Sequence, residues 1–290
     1  MAATFPEGFL FGAAVGAHQV EGGNTNSDWW WWEHREGTPC VEPSGDACDF
    51  YHRYDDDIAM LAGFGLNAFR FGIEWARIEP AEGEFSTAQL GHYRRMLEAC
   101  HAHGVTPILT FHHFTLPRWV HDLGGFADSR FPRLFERYCE RAARSLGDQI
   151  GYACTLNEPQ GLGWSGYMLG VNPPGVKGDE RAARRAADNL IEAHRLATPA
   201  IKAHTKAPVG VARHPRPSVR GRRQTGALWL RGRVRDQRPV LRARAERRLH
   251  RRADVYADPH RTRRPAQLRR GMERGEPRAG RDRRHNADGL

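Results

Sequence analysis

Lysine is almost missing from this chain. Only Lys177, Lys202 and Lys206 occur among 44 basic residues in 290, so arginine carries the positive charge. From Arg213 to Leu290 there are 25 arginines and no lysine. The net charge of +10 is therefore a property of the end of the chain and says little about the rest. Long apolar runs are also missing. The opening MAATFPEGFLFGAAVGAHQVEGG has no basic leader, and glycines break its apolar part before His18 and Gln19. It is expected to be neither a secretory signal nor a membrane span. Five cysteines, an odd number without metal-finger spacing, argue against a disulfide framework and a zinc module. A reducing cytoplasm is the expected setting. No G-x-G-x-x-G follows the first apolar run and no P-loop occurs anywhere, which removes the usual support for an open nucleotide-binding sheet.

What is present alternates between two periods. Phe9 to Ala17 reads as a first strand, and Asp49 to Phe64 as a helix with apolar residues at i, i+3 and i+4. Asn67 to Trp75 is a second strand, Thr87 to His103 a helix closed by Gly104, and Thr106 to Phe111 a third strand. A helix from about Pro132 to Leu146 leads into Ile150–Cys154, a fourth strand. A helix over Glu180 to His204 then feeds the start of a fifth at Ala207–Val211. Strict alternation with long crossovers predicts parallel pairing and a (β/α)₈ barrel, interrupted after about four and a half units.

Polar residues gather where these strands end: Gln19, Arg70, His113, Asn157 and Glu158. Singly, each has an ordinary explanation: a loop cap, a structural ion pair, a core histidine, a surface carboxylate. Five at equivalent positions fit the face on which a barrel builds its active site. An Asn beside a Glu suits sugar chemistry, because the amide binds a hydroxyl while the carboxyl gives or takes a proton. Four adjacent tryptophans, Trp29 to Trp32, cannot all face one way, so some are expected to line a surface or cleft where rings can stack on sugars. The triplet Asp55-Asp56-Asp57 reads as a solvated helix face rather than a metal site.

The segments AHQVEGG, FRFGIEWARIEPAEGEF, LTFHHFTLPRW, TLNEPQ and GYMLGVNPPG, in this order, resemble the motifs of glycoside hydrolase family 1, the β-glucosidase and β-galactosidase family. The resemblance spans about Phe5 to Val211. It implies a (β/α)₈ barrel that hydrolyses β-glycosides with retention of configuration, without metal or cofactor. By the same resemblance Glu158 is the acid/base, Asn157 binds the sugar 2-hydroxyl, and Gln19 and His113 hold hydroxyls on the far side of the glycone. Arg70 sits beside the nucleophile. Gly72 replaces a more usual Ser, and Gly125-Phe126 a more usual Gly-Trp. A retaining enzyme needs a second carboxylate roughly 5–5.5 Å from the first. The family carries it in an I/V-T-E-N-G stretch at the end of strand seven, and no such stretch occurs here.

After Val211 the resemblance stops. Residues 212–290 show neither helical nor strand periodicity, so no domain is expected there and the segment reads as a disordered basic tail. Such a tail would bind nucleic acid non-specifically through its charge. Arg-rich text is also what a GC-rich gene gives out of frame. Codons can be chosen for Arg248 to Arg264 that, read one nucleotide later, spell DFIGVQTYTRTRIGPD, which resembles the family's sixth strand. Three other places, from His214 to Leu290, permit family-like text in the same shifted frame. The sequence therefore predicts a frameshift between about Val209 and His214. It predicts a β-glycosidase by descent whose chain, as written, does not hydrolyse its substrate for want of the nucleophile. The alternatives are a non-catalytic sugar-binding fragment and a nucleic-acid binder acting through the tail.

Overall fold

A computed structural model of the chain describes residues 5–213. The element order is β1 (Gly12–Ala14), α1 (Ala17–Val20), α2 (Asp28–Glu33), α3 (Phe50–Gly63), β2 (Ala68–Gly72), α4 (Trp75–Ile78), α5 (Thr87–Ala102) and β3 (Thr106–His112). It continues with α6 (Arg118–Asp122), α7 (Phe131–Leu146), β4 (Tyr152–Asn157), α8 (Pro159–Tyr167), α9 (Glu180–Lys202) and β5 (Val209–Ala212). The strands form one sheet in the order β1-β2-β3-β4-β5, and every pairing is parallel. A doubly wound sheet reverses its strand order at a switch point, whereas sequential order with helices on one face belongs to a barrel.

The two faces of the sheet differ as that geometry requires. Phe69, Phe71, Leu109 and Phe111 point into the apolar layer beneath the helices. On the other face Arg70 donates to both Thr110 and Asn157, linking three strands. The long helices follow from their stripes. In α7, Phe131, Leu134, Phe135, Tyr138, Cys139, Ala142 and Leu146 are buried, and Pro132 sits in the first turn, where a missing N–H costs nothing. In α9 the buried stripe is mostly alanine, and the Asp179 carboxylate caps the helix by accepting from Ala182 N at 2.8 Å. Each fully buried Leu or Phe contributes about 1.5–3 kcal/mol.

The expected alternation is present, with differences at β1, β4 and α8: β1 covers only Gly12–Ala14, and Ala17 already opens α1. The fourth strand continues to Asn157, because its backbone keeps pairing with β5 through an irregularity between Cys154 and Asn157. Helix α8 then begins at Pro159, an element that the sequence analysis did not include; Pro at the first helical position marks such a start. The tryptophan run forms helix α2, capped by Ser27, whose hydroxyl accepts from Trp30 N at 3.1 Å. Trp32 is buried, and the other three are half-buried. The readings of the Arg-rich segment fall on residues 214–290, outside the described residues. Among the described residues no helix is long and apolar enough to cross a membrane.

Candidate active site

The site is built where the chain leaves β1, β3 and β4. After β1 the backbone turns at Gly16 into α1, which carries Gln19. A Cβ on Gly16 would lie 2.8 Å from the His113 ring and 2.9 Å from Gln19 Oε1. Both side chains thus converge directly over the Gly16 backbone, and only glycine lets them. His113 follows β3 and is held down to about 4, first by burial and then by the Arg70 charge, so its imidazole is neutral near pH 7. Gly72 is less cramped: a Cβ there would stand 3.3 Å from Ala17 N and 3.6 Å from His113 Cβ.

Arg70 lies inside β2, two residues short of its end, and its Nη1 reaches two neighbouring strands. It donates to Thr110 Oγ1 at 3.3 Å and to Asn157 Oδ1 at 2.9 Å. Asn157, 3% exposed, closes β4. Glu158 follows with φ 48° and ψ 48°, the left-handed region, immediately before Pro159. A proline disfavours the right-handed helical region in the residue before it, and the left-handed alternative costs a non-glycine residue about 1–3 kcal/mol. Glu158 N donates to Ala212 O at 2.9 Å, so β5 holds the strained backbone in place. The same seam is tied by Thr155, whose hydroxyl donates to Gly210 O at 3.1 Å and meets His194 Nδ1 at 2.7 Å.

Of the five residues singled out in the sequence, the structure brings Gln19 and His113 together over Gly16 and bonds Arg70 to Asn157. The Glu158 side chain is half-buried and bonds to none of the other four. His112 is the core histidine of the two. It packs edge-on to Phe126 and Phe135 and is held down to about 3 by burial. Trp31 is not an open platform: Arg35 and Arg118 lie over its ring at 4.4 and 4.5 Å, with His121 at 4.7 Å. Trp32 packs against Gly175, where a Cβ would come within 2.2 Å of the indole.

Sequence reasoning missed a polar cluster beneath the site. Glu74 Oε2 accepts from Asn24 Nδ2 at 2.9 Å and from Thr115 Oγ1 at 2.8 Å. Glu21 Oε2 accepts from Arg77 Nε at 3.0 Å and from Tyr93 OH at 3.1 Å. Burial pushes Glu21 up to about 8 despite the Arg77 charge, and its other oxygen, Oε1, is buried without a partner. The available signal was a charged residue inside an apolar stretch, as in FGIEWARI.

Residues 1–218 match the model of glycosyl hydrolase family 1. The β-glucosidase A of Acetivibrio thermocellus is 34% identical over 198 residues, covering 66% of this chain and 44% of that protein. The β-glucosidase A of Thermotoga maritima is 34% identical over 209 residues, 70% of this chain and 47% of its own length. Among solved structures, β-glycosidase BGL167 is 47% identical with a TM-score of 0.65, covering 71% of this chain and 55% of that one. The family 1 β-glucosidase of T. maritima is 33% identical with a TM-score of 0.69, covering 71% and 48%. The chain spans about half the length of the curated bacterial relatives it matches. Ordered strand-end motifs, a sequentially wound parallel sheet and a family match over most of its length agree, and the chain belongs to glycosyl hydrolase family 1 as an N-terminal portion of its (β/α)₈ barrel.

Proposed function

We infer that this chain carries the acid/base half of a retaining β-glycosidase, of the β-glucosidase type. The observation that carries the reading is the convergence of Gln19 with His113 and of Arg70 with Asn157 on one sheet face, with Glu158 following at the end of β4. In the complete reaction a carboxylate attacks the anomeric carbon while the carboxylic acid protonates the departing glycosidic oxygen. Water activated by the same residue then displaces the enzyme from the sugar. Glu158 is assigned the acid/base role, Asn157 the 2-hydroxyl, and Gln19 and His113 the remaining glycone hydroxyls. A neutral His113 can both donate to and accept from hydroxyls, which suits that assignment. Arg70 is assigned the place beside the nucleophile. No metal or cofactor enters this scheme, and the substrate is a β-glucoside or β-galactoside met in the cytoplasm.

The family half extends to Val211 in this reading. Residues 212–290 are out-of-frame translation of the remainder, and the nucleophile is encoded in the frame that is not read. The chain as written therefore turns over no glycoside. The test is genetic and then enzymatic. Removing one nucleotide between the codons for Val209 and His214, with the gene read on in the restored frame, is expected to yield a β-glucosidase that Glu158→Gln inactivates. A restored frame that remains Arg-rich, or a soluble product that cleaves no chromogenic β-glucoside, contradicts the reading.

A further inference from the structure

Two guanidiniums share one indole ring in the segments that follow β1 and β3. Arg35, just past the end of α2, lies 4.4 Å from the ring centre of Trp31, and Arg118, which opens α6, lies at 4.5 Å. Backbone bonds hold the two segments together. Asp28 N donates to Leu116 O at 2.8 Å, Leu116 N to Asp28 Oδ1 at 2.8 Å, and Arg118 N to Asn26 O at 2.9 Å.

The charge on this ring is only partly matched. Arg118 Nη2 donates to Oδ1 of the exposed Asp122 at 2.9 Å, while its Nη1 is buried without an acceptor. Among the described residues no carboxylate pairs with Arg35, which is exposed. Asp28 is the other acid that feels Arg118, and burial pushes it well above its usual value. His121, whose ring lies 4.7 Å from the indole, is held down by burial and then by the Arg118 charge, so it adds no third cation near pH 7. Two guanidiniums against one exposed carboxylate leave a positive excess, and their mutual repulsion is relieved by an anion that meets both. Guanidinium donors fit the oxygens of phosphate in spacing and direction.

We propose that Arg35 and Arg118, held against Trp31, bind a tetrahedral dianion: phosphate, free or as a monoester. The indole sets the two guanidiniums in place, and their outward N–H groups donate to the phosphate oxygens. None of these side chains bonds to Gln19, His113, Asn157 or Glu158 among the described residues, so a chain that hydrolyses nothing still binds the anion.

The probe is sodium phosphate against sodium chloride at equal ionic strength, with the full chain near pH 7. Tryptophan emission and thermal unfolding are the readouts. For a dissociation constant of about 2 mM, about 20 mM phosphate is expected to raise Tm by roughly 3–5 °C over chloride. The emission should change as well, and Trp31→Phe should remove that change. Arg35→Gln alters an exposed side chain that makes no hydrogen bond, so it should fold normally and weaken binding by about tenfold or more. Arg35→Lys keeps the charge and should recover part of the loss. Phenyl phosphate separates the two sources: equal affinity assigns the site to free phosphate, and tighter binding assigns it to a monoester. Equal emission and Tm in phosphate and chloride overturn the proposal. So does a response that survives undiminished in Arg35→Gln or Arg118→Gln, because the phosphate would then be held elsewhere on this Arg-rich chain.

Discussion

Glu74 and Glu158 both lie just beyond the end of a parallel strand, yet their surroundings are opposite. Glu74 is buried and accepts from Asn24, Thr115 and the Ala76 N–H. Glu158 is half-buried on a strained backbone, and no partner holds its carboxylate among the described residues. The same contrast separates Arg77, locked to Glu21, from Arg70, which has only neutral partners. Glu74 and Arg77 are matched by groups from neighbouring elements, and they help to hold the fold together. Among the described residues Arg70 and Glu158 meet no opposite charge, which leaves them open to a ligand. A charge's partner therefore tells structure from function better than its position on the strand does.

The strongest test of this contrast is Glu74→Ala, which strands three donors in a dry site. It should cost about 3–5 kcal/mol, read as a fall in the urea midpoint. A loss near that of a surface residue would erase the distinction. Gly16→Ala should cost roughly 1–3 kcal/mol by forcing the His113 ring and Gln19 apart. Thr155→Val, isosteric but unable to bond Gly210 O or His194, should cost roughly 1–3 kcal/mol and loosen the seam that carries Glu158. Amide exchange at Glu158 N, bonded to Ala212 O, should then speed up more than exchange in β2.

The pH dependence has two opposed sources. His92, His112 and His113 are held to about 4, 3 and 4, mainly by burial, against an ordinary 6.5. The folded state then binds fewer protons than the unfolded one, so their stability is present above 6.5 and lost as pH falls towards 4. Glu21 is raised from 4.5 to about 8, so its contribution is present below 4.5 and lost as pH rises towards 8. Asp28, raised by burial, acts in the same direction as Glu21. Tm should therefore peak near pH 6.5, and Glu21→Gln should flatten the alkaline fall and steepen the rise between 4.5 and 6.5, where Glu21 opposes the histidines. At the small end, Glu158→Gln should change stability by no more than about 0.5 kcal/mol, read from the urea midpoint, because no partner is lost. A large loss there would place Glu158 in the same structural class as Glu74.

Much of this was legible in the sequence because periodicity reports burial. The stripes of α3, α5, α7 and α9 and the short apolar runs of β2 to β5 each appear within a few residues of their expected ends. Helix α8 escaped because its glycines, in PQGLGWSGY, hide its period and its buried face is short. The five candidate residues stood out as polar residues near strand ends, but which of them meet in the fold did not. Nothing in Gly16 as a letter says that His113 and Gln19 close over it. The buried pairs Glu21–Arg77 and Glu74–Asn24 join residues about fifty positions apart, and a single sequence carries no mark of such a contact.

The central claim is that this chain holds the acid/base half of a glycosidase site and lacks the carboxylate that would use it. Hydrolysis of a chromogenic β-glucoside by the purified, folded chain measures it most directly. The account predicts release of the chromophore no faster than the buffer blank, for the wild type and for Glu158→Gln alike. Turnover well above the blank that Glu158→Gln abolishes would contradict it.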